Sequence, residues 1–337
     1  EILAALAAAN SGCQPGYGAD AGMARVTARL REIFEAPEAA VHLVATGTAA
    51  NALALACLCP PWATVYCHRH AHVAEDECAA PEFYSGGAKL TLVEGAHGRL
   101  DPVALALAID ASAGAGVHNV QPGALSLTNA TEAGTVYSPG DLAALTAVAR
   151  ARGLPTRLDG ARFANALATL GCAPAELSWK AGVDILCLGG TKNGLLGVEA
   201  VIIFDPARSW EFELRRKRGG HLFSKHRFLS AQMEAYLADD LWLRLARAAN
   251  ARAERLSRGL ATVSGARLTH PTEANAVFAA WPRAGHRAAR AAGAHYYLWP
   301  GTETLDGPAD APVSARLVCG WSTTEAEIDA FLTHLRG

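Results

Sequence analysis

Seven short apolar runs, separated by longer stretches with apolar residues three and four positions apart, fill the first 204 residues of this chain. Short apolar runs predict buried strands, and the spacing of three and four predicts amphipathic helices. One such helix, Asp141–Arg152, lies just after Pro139, a residue common at helix starts. The strands are predicted at Val41–Ala45, Thr64–Cys67, Lys89–Val93, Ala124–Thr128, Pro155–Leu158, Asp184–Leu188 and Val198–Phe204. This alternation favours an α/β fold with a mostly parallel sheet covered by helices on both faces.

The pattern changes after Phe204. A basic segment at 215–220 ends in two glycines, and a long helical stretch is predicted over roughly residues 228–260. Shorter elements follow, among them a strand at Val313–Cys319 and a last helix from about Thr324. We therefore predict a large α/β/α domain, residues 1–225, and a smaller C-terminal α+β domain, residues 226–337.

Charge and cysteine content argue against several classes of protein. The 30 Lys and Arg against 32 Asp and Glu give a formal net charge of -2, so we expect no nucleic-acid or membrane partner. The 8 cysteines form no CxxC pair, as expected for reduced thiols in the cytoplasm. Asn51 and Pro60-Pro61 interrupt the longest apolar stretch, so we predict no membrane span. The first residues include no basic n-region, so we predict no secretory signal. Because the chain opens with Glu1, we also expect an N-terminal piece that this numbering lacks.

Lys192 and Asp159 are the strongest candidates for chemistry. Lys192 lies in Gly189-Gly190-Thr191-Lys192-Asn193-Gly194, directly after a predicted strand, and Asp159 ends an earlier strand. A buried amine near a buried carboxylate is what pyridoxal 5′-phosphate requires. The amine forms the Schiff base, and the carboxylate keeps the pyridine nitrogen protonated. The alternative for Asp159 is a helix N-cap.

The loop Thr46-Gly47-Thr48-Ala49 follows a strand and opens a helix. Backbone N–H groups at a helix N-terminus bind phosphate, and glycine permits close approach. The alternative is an ordinary strand-to-helix turn with Thr48 as N-cap.

The histidines of Cys67-His68-Arg69-His70-Ala71-His72 allow three interpretations. On a strand they share one face and can bind zinc. Alternatively, His72 alone stacks on a cofactor ring, or all three are surface residues. No second ligand cluster supports a metal, so we predict none.

Arg316 is a charge inside the apolar strand Val313–Cys319. A buried guanidinium is rare unless paired, and its fork suits a substrate carboxylate. The alternative is a solvent-facing position on an edge strand. Arg162, just after Asp159, is a second candidate or a solvated helix charge, and Tyr17 is a loop aromatic before a helix.

The order of these motifs identifies a family. The chain resembles low-specificity L-threonine aldolases, of the aspartate aminotransferase-like fold type I, and is most similar to the bacterial branch that includes phenylserine aldolases. The resemblance covers essentially the whole chain. It rests on the motifs at Tyr17–Asp20, Gly47–Asn51, Ala71–Glu77, Pro81–Gly87, Thr131–Tyr137, Asp159–Phe163 and Gly189–Gly194.

The resemblance implies a role for each candidate. Lys192 carries pyridoxal 5′-phosphate, Asp159 pairs with the ring nitrogen, and His72 stacks on the ring. Gly47, Thr48 and Ala49 hold the phosphate. Arg162 and Arg316 address the substrate carboxylate, and Arg162 also the cofactor face.

The resemblance further implies retro-aldol cleavage of threonine-, allo-threonine- or phenylserine-type amino acids to glycine and an aldehyde, with His72 or a water as the base. It implies a homotetramer, a dimer of dimers, with active sites at subunit interfaces that Tyr17, Lys217 and Lys225 reach from the neighbouring subunit. The chain departs from the better-known branch at Thr128–Gly134, where that branch has a second active-site histidine.

Three other functions stay open from the residues alone. The same Lys192 and Asp159 can serve a pyridoxal-phosphate-dependent β-eliminating lyase or a racemase, because bond orientation selects the product. A metal-dependent hydrolase would use His68, His70 and His72. A non-catalytic protein that carries the cofactor is the third.

Overall fold

A mixed seven-stranded sheet forms the centre of the large domain. The computed structural model describes residues 1–336, without the side chain of Arg336. All seven predicted strands are confirmed, with ends shifted by up to three residues. Their bounds are β1 Ala40–Val44, β2 Ala63–His68, β3 Lys89–Val93, β4 Gln121–Thr128, β5 Thr156–Gly160, β6 Ile185–Gly189 and β7 Glu199–Ile203.

The strand order is β1-β7-β6-β5-β4-β2-β3. Strand β7 is antiparallel to both of its neighbours, while the other six strands run parallel to one another. The predicted mostly parallel sheet is therefore confirmed, with one antiparallel exception. The carboxyl ends of the six parallel strands meet at one edge, which is where open α/β sheets bind ligands.

Helices cover both faces of this sheet. The helix Gly47–Leu58 is buried on every side from Ala49 onward, as expected for a helix without a polar face. The predicted helix at Asp141–Arg152 begins two residues earlier, at Pro139, because Ser138 and Asp141 form a capping box. The helices of this region are α1 Ile2–Ala9, α2 Ala21–Ile33, α3 Gly47–Leu58, α4 His72–Glu75, α5 Ala80–Ser85, α6 Pro102–Ala113, α7 Pro139–Arg150, α8 Phe163–Leu170 and α9 Ser209–Arg218.

The prediction of one continuous helix over roughly residues 228–260 is wrong. The structure divides it into α10, Arg227–Leu237, and α11, Leu241–Leu260. Asp239 and Asp240 between them have φ values of 47° and 52°, in the left-handed region that a right-handed helix does not contain. The break lets α10 pack against α1 and α2 while α11 continues towards the C-terminal sheet.

The C-terminal region is α+β, as predicted. Its small antiparallel sheet has the order β10-β11-β9-β8, and α11 packs on it with α12, Arg283–Ala291, and α13, Glu325–Arg336. A separate apolar cluster, from Ala253 to Leu335, forms its core. The strands are β8 Arg267–Leu268, β9 Ala276–Pro282, β10 Tyr297–Leu298 and β11 Pro312–Val318.

The domain boundary at residue 225 stays a prediction. Leu229, Met233 and Tyr236 of α10 belong to the same apolar cluster as the large sheet. Within residues 1–336, no helix is both long and apolar enough to cross a bilayer.

Candidate active site

Asp159 lies at the carboxyl end of β5 and is buried. Its Oδ2 accepts hydrogen bonds from Asn51 Nδ2 at 2.8 Å and Arg157 Nη2 at 3.1 Å, and its Oδ1 accepts from the Ala161 amide at 2.9 Å. Burial raises the pKa of Asp159, but the Arg157 guanidinium, the Ala161 amide and the charges of Lys192 and His72 outweigh burial and hold the pKa below its usual value. The carboxyl group is therefore ionised.

Arg157 accompanies Asp159 on the same face of β5, two residues earlier in the strand. Its side chain is completely buried, and Nη1 donates to Ser126 Oγ at 2.9 Å. The Nε has no hydrogen-bond partner among the described residues. A buried arginine compensates the charge of Asp159 from within the protein.

Asn51, on α3, connects Asp159 to a second buried carboxylate. Its Nδ2 donates to Glu77 Oε1 at 2.6 Å as well as to Asp159. Glu77 Oε1 also accepts from His72 Nδ1 at 2.8 Å. This hydrogen bond raises the pKa of His72 despite the partial burial of the ring. Because Nδ1–H points to Glu77, the neutral ring keeps its lone pair on Nε2.

The three alternating histidines have different environments. Strand β2 ends at His68 and α4 begins at His72, so the imidazoles do not share one face of a strand. His68 Nε2 lies 3.1 Å from Gly95 O, and His70 Nδ1 lies 2.8 Å from Glu75 Oε1. Among residues 1–336, no three His, Cys, Asp or Glu side chains are placed to hold a metal ion.

Lys192 follows β6 in a short 3₁₀ turn, Thr191–Asn193. Its side chain is exposed in this structure, so the prediction that its amine is buried is wrong. Its charge nevertheless acts on Asp159 and His72, which places the amine at the same edge of the sheet. Packing requires the glycines before it, because a Cβ on Gly189 would lie 2.6 Å from Ala161 and one on Gly190 would lie 2.4 Å from Leu195.

The amino end of α3 is where the phosphate site is predicted. Thr46 is the N-cap in place of Thr48, and its Oγ1 accepts from the Ala49 amide at 3.2 Å. The amide of Ala49 is thus already used, while Gly47 and Thr48 lie in the first turn, where amides have no acceptor within the helix. A Cβ on Gly47 would meet no atom within 4 Å, so this end of the helix is open.

Arg162 and Arg316 approach each other from the two domains. The charge of Arg316 and burial both lower the pKa of Arg162, with burial the larger cause, and Glu132 opposes them. The Nε of each guanidinium is buried and has no hydrogen-bond partner among residues 1–336. Strand β11 lies between β10 and β9, so Arg316 is not on an edge strand. Each guanidinium therefore keeps one buried N–H available to a carboxylate.

Tyr17, Lys217 and Lys225 lie at the surface. Tyr17 is 53% exposed, and Lys217 Nζ lies 4.5 Å from the centre of its ring. The Tyr17 amide donates to Ser224 O at 3.2 Å, beside the exposed Lys225. All three side chains are exposed, and Tyr17 contacts both Lys217 and the backbone next to Lys225; we call these residues the exposed group.

Asn129 stands in the turn where the better-known branch has its second histidine. Its Nδ2 donates to Tyr137 O at 3.0 Å, and its Oδ1 accepts from the Tyr137 amide at 3.2 Å. The side chain is buried and joins two parts of the backbone. It has a structural role here and provides no acid or base.

The edge of the sheet fits pyridoxal 5′-phosphate. Asp159 Oδ1 accepts one hydrogen bond, and a carboxylate oxygen accepts two, so one position is left for a protonated ring nitrogen. The open end of α3 suits the phosphate, and the unpartnered Nε groups of Arg162 and Arg316 suit a substrate carboxylate.

Sequence reasoning did not assign Arg157, Glu77, Asn51 or Glu199 to the site. Asn51 and Glu77 stand inside two of the motifs, but nothing in the sequence joins them to Asp159 and His72. Arg157 and Glu199 each place a charge in an apolar strand, which is the signal that could have identified them.

Comparison with known proteins agrees with this geometry. The model of the beta-eliminating lyase family matches residues 1–281. A low-specificity L-threonine aldolase of Pseudomonas aeruginosa is 44% identical over 324 residues, 96% of this chain and 90% of the relative. Another, from a Pseudomonas species, is 40% identical over 337 residues, 100% of this chain and 93% of the relative. A solved threonine aldolase structure from Leishmania major superposes with a TM-score of 0.91 at 28% identity, covering 99% of this chain and 94% of that one.

Proposed function

We propose that this chain catalyses a retro-aldol reaction, because it belongs to the low-specificity L-threonine aldolases of the beta-eliminating lyase family. The protein is a lyase of fold type I that depends on pyridoxal 5′-phosphate. It cleaves L-β-hydroxy-α-amino acids of the threonine, allo-threonine and phenylserine type to glycine and an aldehyde. The observation that carries this proposal is the ionised Asp159, held by Arg157 and Asn51 at the edge where Lys192 emerges.

Pyridoxal 5′-phosphate supplies an electron sink that accepts the electrons of the broken Cα–Cβ bond. Lys192 would hold it covalently, and Gly47 and Thr48 would hold its phosphate. Asp159 would keep a proton on the ring nitrogen, because Arg157 and Asn51 keep the carboxylate ionised.

Arg162 and Arg316 would bind the substrate carboxylate and so fix which bond at Cα is broken. His72 would lie against the ring. Its Nε2 is the free nitrogen, because Nδ1 is hydrogen-bonded to Glu77. We propose that Nε2 is the base that accepts the proton of the β-hydroxyl group.

The oligomer and the location are further proposals. We propose a homotetramer, a dimer of dimers, in which the exposed group of Tyr17, Lys217 and Lys225 reaches the neighbouring subunit's site. The exposure of these side chains supports this role. We propose a cytoplasmic location, which agrees with the free cysteines.

Lys192→Ala tests the function. We expect the variant to form no glycine and aldehyde from threonine or phenylserine, and to bind no cofactor that borohydride can fix to the chain. Lys180→Ala, at an exposed lysine paired with Glu35, is the matched control and keeps both properties. Covalent cofactor retained in Lys192→Ala would overturn the assignment. Ammonia and a keto acid as wild-type products would favour β-elimination, and inversion of the substrate would favour racemisation.

A further inference from the structure

Glu199 is a buried carboxyl group below the lysine turn, and the proposed function gives it no role. It begins β7, where it lies opposite Gly189 of β6 and Val44 of β1. Only 6% of the residue is exposed. Its Oε2 accepts a hydrogen bond from the Gly190 amide at 2.7 Å, and the Thr191 hydroxyl also donates to the carboxyl group. The carboxyl group is thus bonded to the two residues that precede Lys192.

The other end of the turn is held by neutral groups. Asn193 Nδ2 donates to Tyr236 Oη at 2.6 Å and to Trp242 O at 2.8 Å. The Tyr236 hydroxyl donates to Gly189 O at 3.3 Å. The turn is therefore fixed from both sides, and Glu199 is the side that can carry a charge.

The groups that act on Glu199 come from three elements. Lys192 reaches it from the turn and Asp159 from β5, while Tyr236 of α10 responds to the charge of Glu199. On the β1 side its partner is the apolar Val44. Burial raises the pKa of Glu199 to about 7, against the hydrogen bonds from Thr191 and Gly190. The carboxyl group is accordingly neutral in acid and becomes negative as the pH rises through neutrality.

We propose that Glu199 is a positioning residue for Lys192: its carboxylate fixes residues 190–191 and places a negative charge at the base of the turn that carries the lysine. The charge favours the protonated form of the lysine nitrogen. This inference rests on the proposed function, in which Lys192 holds the cofactor. It adds a charged group that neither the motifs nor the cofactor requires.

Glu199→Gln in the cofactor-loaded protein tests the proposal. The amide oxygen can still accept the Gly190 N–H, but the charge is lost. Titration of the visible absorbance of the bound cofactor against pH measures the proton affinity of the Lys192 nitrogen. We expect about a tenfold loss of that affinity, since one pKa unit corresponds to a factor of ten. Cofactor affinity stays within about threefold, because the turn remains bonded.

Tyr236→Phe is the matched control. It removes the hydrogen bonds to Asn193 and Gly189 without changing a charge near the turn. We expect the titration to be unchanged. An equal displacement in Tyr236→Phe and Glu199→Gln would overturn the charge role, and so would an unchanged titration in Glu199→Gln.

Two further measurements separate the possible failures. If Lys192→Ala keeps covalent cofactor, the proposed function fails, and the role of Glu199, which rests on it, fails with it. If Glu199→Gln does not fold, infrared spectra of the loaded wild-type protein between about pH 6 and 8 decide, because ordinary carboxyl groups are already ionised there. A protonated-carboxyl band that disappears in this range and is displaced in Lys192→Ala supports the proposal, and the absence of such a band overturns it.

Discussion

At the scale of single residues, the site is a balance of buried charges. Asp159 and Glu77 are two buried carboxylates that share one donor, the amide of Asn51. Like charges in a poorly polar interior repel, so each needs its own compensation. Arg157 compensates Asp159, and His72 is bonded to Glu77. A change in the charge of Asp159 therefore alters the proton equilibrium of His72, to which it is linked through Asn51 and Glu77.

The Glu77–His72 hydrogen bond makes a prediction about pH. The bond raises the pKa of His72, so the wild-type ring stays protonated to a higher pH than a free imidazole. If cleavage needs neutral His72, Glu77→Gln lowers this pKa and moves the acidic limb of the kcat/KM profile to lower pH. The rate on the plateau falls by about tenfold, because a ring with a lower pKa is a weaker base for the β-hydroxyl proton. Steady-state kinetics across pH measure both effects.

The chain contains a matched control for this prediction. Glu75 bonds His70 at 2.8 Å, with the same separation of five residues, but both side chains are more exposed. Glu75→Gln is expected to leave the profile unchanged. An acidic limb at the wild-type position in Glu77→Gln would show that His72 is not the base.

Motifs identified Lys192, Asp159 and His72 as candidates because each stands beside residues with unusual backbone or packing needs. The exposure of Lys192 could not be predicted, since burial of a turn depends on distant elements. Arg157 and Glu199 were missed for a related reason. A single charge in an apolar strand has the same appearance whether it is paired in the interior or faces solvent at an edge.

At the scale of elements, the predicted strands are confirmed because both faces of the sheet are covered, which makes each strand a continuous apolar run. The break between α10 and α11 was missed because helical spacing continues through it. Only Ala238-Asp239-Asp240 separates the two helices, and two aspartates are no stronger a signal than surface charges.

The break predicts an order of stability among variants of Asp240. Its left-handed backbone strains any residue with a Cβ except, to a degree, Asp and Asn. Its charge also favours the start of α11. Asp240→Ala is expected to lower the free energy of unfolding by about 1–2 kcal/mol. Asp240→Gly is expected to change it by less than about 0.5 kcal/mol, because relief of strain offsets the lost charge.

Urea unfolding of the two variants measures this order. Glu254→Ala, an exposed position within α11, is the control and should have little effect. A Gly variant less stable than the Ala variant would mean that the left-handed conformation is not retained in solution.

At the scale of the whole molecule, the exposed group of Tyr17, Lys217 and Lys225 makes a prediction about subunits. If these side chains complete a neighbour's site, the double variant Lys217→Ala, Lys225→Ala is inactive for a different reason from Lys192→Ala. Co-expression of the two would then restore about a quarter of wild-type activity, because half of randomly mixed dimers contain one intact site of two.

The control pairs Lys192→Ala with Asp159→Asn, whose defects lie in the same part of the site. Every site in that mixture contains one defect, so no activity returns. Equal activity of the two mixtures would place Lys217 and Lys225 outside the neighbour's site.

The antiparallel strand β7 also determines the order in which the protein can assemble during synthesis. The edge strand β1, residues 40–44, is bonded in the sheet to β7 alone, residues 199–203. Its partner therefore leaves the ribosome roughly 160 residues later, a contact of high sequence separation that slows folding. The loop that follows β1 is the proposed phosphate end of the site, and its strand gains its neighbour in the sheet only after β7 is made. We therefore expect cofactor capture to follow the pairing of β1 with β7.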